Sequence, residues 1–157
     1  MNFSRGIVVV YLLNVSASKK TKSQIAWKIL IAVQDLRMAD LIHEYLLRSG
    51  HKAICESNLD TVLQTLSGAH INLLIVDGEM PEKVLRNFVE AVARVKPGLP
   101  VIAVGMSEHE TQSRTLSAFV SAFIEKPFSI ADISNTIKEV QAQFPVGSFG
   151  NASLKLN

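Results

Sequence analysis

A single cysteine, Cys55, in 157 residues leaves no partner for an internal disulfide, which excludes a cross-linked secreted scaffold and fits a reducing cytoplasm. Lying in an apolar stretch, it reads as a small buried hydrophobe rather than a reactive thiol. Charge of one sign is missing too. The 16 basic residues stand against 14 acidic, a net +2, and apart from Lys19, Lys20 and Lys22 the lysines are scattered, so nothing in the pattern supplies a nucleic-acid surface. The apolar run from Gly6 to Leu13 is far too short to cross a bilayer as a helix. His43, His51, His70 and His109 show no metal-ligand spacing and read as surface or turn histidines.

What is present is apolar material in a repeating order. With 48% hydrophobic residues, the chain is long enough for one globular domain with a full core and too short for two. From Trp27 onward, short β-branched or aliphatic runs alternate with longer amphipathic ones, the pattern of a wound α/β domain. Five strands are expected, over Lys28–Val33, Lys52–Glu56, Asn72–Val76, Val101–Val104 and Ala122–Ile124. Between and after them helices are expected over 36–49, 59–67, 83–95, 109–118 and 130–143. In the first helix Leu36, Ala39, Ile42, Leu46 and Leu47 recur at helical spacing and Gly50 stops it. Asn58, Ser107 and Ser129 are candidate helix caps, and Pro97-Gly98 marks a turn into the fourth strand.

The expected organisation is a domain over 28–143 between an extension, 1–27, and a flexible tail, 144–157. For the extension three readings stand: an added strand or swapped arm, a dispensable leader from an early start codon, and a secretory signal, since Val15-Ser-Ala17 resembles a cleavage site.

Two segments carry the chemistry. Asn72-Leu-Leu-Ile-Val76 is followed by Asp77 and then Gly78-Glu79-Met80-Pro81, so a buried parallel strand delivers a carboxylate to the sheet's carboxyl edge. Downstream, Phe123-Ile-Glu-Lys126-Pro127-Phe128 brings an ammonium to the same edge, where open α/β sheets place their ligands. No Gly- or Ser/Thr-rich phosphate loop follows the first strand, where Gln34-Asp-Leu-Arg37 stands, which disfavours a nucleotide- or flavin-binding enzyme.

Asp77-Gly-Glu-Met-Pro81, Lys126-Pro127-Phe128 and the ungapped stretch from Lys28 to Gly50 together resemble the receiver domain of two-component response regulators. That resemblance covers about 28–143 and implies a flavodoxin-like (βα)5 fold with a five-stranded parallel sheet in the order 2-1-3-4-5. It implies no enzyme beyond self-phosphorylation from a phosphodonor. Asp77 would be the phosphoacceptor, Lys126 the phosphoryl clamp after a cis-proline motif, and Phe123 the switch aromatic. Mg²⁺ would be the cofactor, held by flanking acids, and the partner a cytoplasmic sensor histidine kinase or another signalling protein. Docking is implied at the face of the fourth helix, fifth strand and fifth helix, with a homodimer an open alternative.

This chain departs from that pattern in two places. The acidic pair after the first strand is replaced by Val33 and Gln34, with Asp35 one place late. The expected magnesium donors therefore shrink to Asp77, Gln34, Asp35 and the Glu79 backbone carbonyl, a weak set for a hard cation that prefers carboxylates. Gly105 holds the position of the switch hydroxyl, with Ser107 the nearest replacement. Two functions follow: a phosphoacceptor receiver, or a pseudo-receiver that binds its partner without phosphate, with Lys126 merely balancing Asp77.

Overall fold

The computed structural model describes residues 25–105 and 117–144. Their elements run β1 (Lys28–Ala32), α1 (Leu36–Arg48), β2 (Lys52–Cys55), α2 (Leu59–Gly68), β3 (Leu73–Asp77), α3 (Glu82–Val95), β4 (Val101–Val104), β5 (Ala122–Ile124) and α4 (Ile130–Gln143). All five strands are parallel, in the order β2-β1-β3-β4-β5. The helix expected over 109–118 lies largely outside the described residues, as do Ser107, His109 and nearly all of both terminal extensions.

The central strands are apolar without interruption because both of their faces are covered. Along β1, Ile29 and Ile31 point to one side, where Met38, Ala39, Ile42 and Leu46 of α1 meet Ile133, Ile137 and Val140 of α4. Leu30 and Ala32 point to the other, against Val62 and Leu66 of α2 and Leu85, Phe88, Val89 and Val92 of α3. Strands β3 and β4 divide in the same alternating way, with Leu73, Ile75, Ile102 and Val104 on the first side and Leu74, Val76, Val101 and Ala103 on the second. At about 1.5–3 kcal/mol for each large side chain taken from water, this double core holds strands of only three to five residues.

Helix ends follow their cap chemistry. Asn58 accepts from the Thr61 N–H at the start of α2, and Ser129 and Asp132 form a reciprocal capping box at the start of α4. Strand β3 runs one residue further than expected, to Asp77, because Asp77 still pairs in register with Val104.

Two expectations are corrected. Cys55 is exposed, not buried. It closes β2, an edge strand paired on one side only, to β1. Partial burial and the Asp40 carboxylate push its thiol above the usual range, which leaves little thiolate at neutral pH. His51 lies in the turn between α1 and β2, as one of the two readings had it, but is buried and not at the surface, and its Nδ1 accepts the Trp27 backbone N–H at 3.1 Å. Burial holds its imidazole below the usual range.

Candidate functional site at the carboxyl edge of the sheet

Parallel pairing delivers the ends of β1, β3, β4 and β5 to one edge, and four side-chain positions meet there. Asp77 closes β3 and is 7% exposed. Its Oδ1 accepts the Glu79 backbone N–H at 2.9 Å and its Oδ2 accepts the Gln34 backbone N–H at 3.2 Å. Both carboxylate oxygens thus face fixed donors. The first bond closes a turn within 77–80, and the second ties the end of β3 to the chain leaving β1. The Gly78 N–H donates to the Val104 carbonyl at 2.8 Å, which extends the β3–β4 ladder past the acid.

The acids and amides after β1 are engaged elsewhere. Val33 is 2% exposed and belongs to the core on the α1 side. The Gln34 side chain turns away and donates from Nε2 to the Ser57 carbonyl at 2.8 Å. Asp35 caps α1, its Oδ1 accepting the N–H groups of Arg37 at 2.9 Å and Met38 at 3.3 Å. Among the described residues no three His, Cys, Asp or Glu side chains gather in one place. An octahedral Mg²⁺ needs hard oxygens free to turn toward it, and here the carboxylate of Asp77 is bonded to backbone, that of Asp35 is a cap, and Val33 offers nothing. That leaves the Asp77 carboxylate and Glu79, already paired with Lys126, as the nearest oxygens, a poor set for the ion.

Lys126 pairs with Glu79, not with Asp77. Its ion pair is to the Glu79 carboxylate, which corrects the expected direct Lys126–Asp77 pairing, while Asp77 still adds its charge at longer range. The hydrogen bond to Glu79 pushes the Lys126 ammonium above the ordinary lysine range, and the charges of Glu79, Asp35 and Asp77 add to it against partial desolvation. Glu79, expected to contribute only a backbone carbonyl, therefore brings its side chain into the site.

Gly105 follows β4 with φ +87° and donates its N–H to the Ile124 carbonyl at 2.8 Å. A positive φ there favours glycine over any residue carrying a hydroxyl. Ser107, the proposed replacement, lies outside the described residues. Phe123 is half-buried against the core on the α2 and α3 side, opposite Ala103 in the β4–β5 pairing. The Lys126–Pro127 peptide is cis.

Sequence reasoning brought Asp77, Lys126, Gln34 and Gly105 to one edge but missed the partner of Lys126. The available signal was a pair: an acid two residues after Asp77 and a glycine where a side chain would compete with it for space.

Comparison with known proteins agrees with this fold. The response regulator receiver domain family matches residues 29–138. The chain is 25% identical over 124 residues to the transcriptional regulatory protein CrdR of Helicobacter pylori, covering 76% of this chain and 57% of that one. It is 23% identical over 119 residues to the DNA-binding transcriptional regulator NtrC of a Bradyrhizobium species, covering 75% of this chain and 25% of that one. It therefore spans about half and a quarter of these two relatives.

Among solved structures, a CheY-like receiver domain protein of Methanospirillum hungatei superposes with a TM-score of 0.67 at 24% identity, covering 76% of this chain and 96% of that one. The receiver domain of a Pseudomonas aeruginosa sensor histidine kinase, which carries magnesium in its active-site cleft, superposes with a TM-score of 0.62 at 15% identity, covering 73% and 97%. At these identities the two superpositions speak for the fold. The parallel sheet in the order 2-1-3-4-5 and the family match over 29–138 place this chain among the response regulator receiver domains of two-component signalling.

Proposed function

We propose that this receiver domain works as a pseudo-receiver, a module that binds a signalling protein without needing a phosphoryl group on Asp77. The observation that carries this reading is the donor inventory at the sheet edge. Phosphoryl transfer needs positive charge over the transferring oxygens, and the positions after β1 that would hold a cation are a core valine, a glutamine turned to Ser57 and an aspartate capping a helix, which leaves Asp77 and a Glu79 already paired with Lys126. Gly105 removes the hydroxyl that would couple a phosphoryl group to Phe123, so Phe123 serves as packing.

The partner is a sensor histidine kinase or another cytoplasmic signalling protein. The two relatives are named for transcription and DNA binding but extend well beyond the region matched here, and the balanced charge of this chain suits a protein partner rather than DNA.

A second reading is favoured by Asp77 itself, a carboxylate held at the site's floor by two backbone donors, with the Lys126 ammonium at the same edge after β5, two strands away. In that reading an Asp77 oxygen attacks the phosphorus of a donor such as acetyl phosphate. The P–O bond to acetate breaks and acetate leaves with the electron pair. Intact-mass measurement of the full chain after incubation with acetyl phosphate and Mg²⁺ separates the two. The pseudo-receiver shows no lasting mass gain, whereas a gain that disappears in Asp77→Asn establishes the phosphoacceptor instead.

A further inference from the structure

The carboxylate of Glu79 lies where a side chain at position 105 would stand. A Cβ built on Gly105 meets Glu79 Oε2 at 2.9 Å, Glu79 Cγ at 3.4 Å and Lys126 Cε at 3.4 Å. The first distance is closer than real Cβ atoms approach, so a side chain at 105 would have to displace the far end of the Glu79 side chain, and Lys126 closes the space from the third side. The three residues come from three strand ends, those of β3, β4 and β5.

An ordinary surface ion pair adds little to stability, and with side chains 48% and 45% exposed this one would fall in that class on charge alone. Shape distinguishes it. The Glu79 carboxylate occupies space that a Cβ at 105 would contest, beside a backbone already committed to positive φ and tied to the Ile124 carbonyl. Asp77 adds a second connection, since its Oδ1 holds the Glu79 N–H and so fixes the origin of that side chain.

We propose that Glu79 is a resident anion of this receiver, filling the room left bare by Gly105, holding the Lys126 ammonium, and keeping a phosphate-sized anion away from it. Under this arrangement the end of β5 has one state without any ligand, and Lys126 is spoken for before a partner arrives. Glu79 acts here as a positioning residue. The proposal deepens the pseudo-receiver reading and rests on it for its biological sense, although its geometry holds whether or not Asp77 accepts a phosphoryl group.

A double-mutant cycle tests the shared volume. Gly105→Ala lowers the urea midpoint through both its positive φ and its contact with Glu79. In a Glu79→Ala background only the backbone part remains, so the same change lowers the midpoint less. Equal shifts in the two backgrounds overturn the proposal.

Should Gly105→Ala not fold, titration with inorganic phosphate followed by amide NMR decides alone. In Glu79→Ala, saturable shifts appear at the amides of Gln34, position 79 and Lys126, and they vanish when Lys126→Ala is added. The wild-type chain stays flat over the same range. Equal binding by wild type and Glu79→Ala, or none by Glu79→Ala, overturns the proposal. Acetyl phosphate labelling of Asp77 in the wild type would overturn the pseudo-receiver reading alone, since the cycle and the phosphate titration do not depend on covalent transfer.

Discussion

The two ends of β1 solve one problem in two ways. At the amino end the backbone N–H groups of Trp27 and Lys28 are taken up by His51 Nδ1 at 3.1 Å and Asn72 Oδ1 at 2.8 Å, both neutral acceptors. At the carboxyl end the Gln34 N–H is taken up by the Asp77 carboxylate at 3.2 Å. His51 and Asp77 are the buried polar side chains among the described residues, 6% and 7% exposed. Each pins the chain beside β1 to a neighbouring segment, as buried N–H groups require. Only the charged acceptor, though, sits at an edge with further charges around it. The amino end is a structural tie, and the carboxyl end is a tie built from groups that can also do chemistry.

The sharpest way to break this contrast is Val33→Asp, which returns an acid to the end of β1 at a position 2% exposed and beside a residue bonded to Asp77. With no cation to balance it, the new carboxylate should cost about 3 kcal/mol in urea unfolding. Millimolar Mg²⁺ should recover a measurable part of that loss, and no recovery would mean that the edge is structural throughout.

Asp77→Ala comes next. It leaves the N–H groups of Gln34 and Glu79 without their acceptor and should cost about 1–3 kcal/mol. Asp77→Asn, which keeps a carbonyl oxygen, should recover most of this in the same measurement. At the opposite end Asn72→Ala removes the acceptor of the Lys28 N–H and should cost about 1 kcal/mol. A larger loss there than at Asp77 would reverse the ranking of the two ends.

The smallest effect is one of pH. Because burial lowers the His51 pKa from 6.5, its contribution to stability is fully present above that value. It is lost as pH falls through the lower folded-state pKa, where an added proton takes the lone pair that accepts the Trp27 N–H. Thermal melts of wild type and His51→Gln should diverge above pH 6.5 and converge in acid.

Which parts of this were legible in sequence depended on range. Strand and helix positions were readable from periodicity, and β4, β5 and α4 occupy the expected residues, because alternation and capping act over a few neighbours. Asn58 and Ser129 were readable as caps for the same reason. That Asp77 and Lys126 reach one edge was readable from where their apolar runs end, and Gly105 joined them through the family resemblance. The buried His51 was not, since its partner lies 24 residues away. Nor was the exposure of Cys55, which depends on β2 being an edge strand.

The sequence by itself determined which carboxylates and amines reach the carboxyl edge, because a period of two and the end of each apolar run place them there whatever surrounds them. Tertiary structure alone decided how they pair. Asp77 takes backbone donors and Lys126 takes Glu79 because the space over Gly105 is open to a side chain from β3's end. That space exists only once β3, β4 and β5 lie side by side, and steric room, unlike charge, is a property of no single strand.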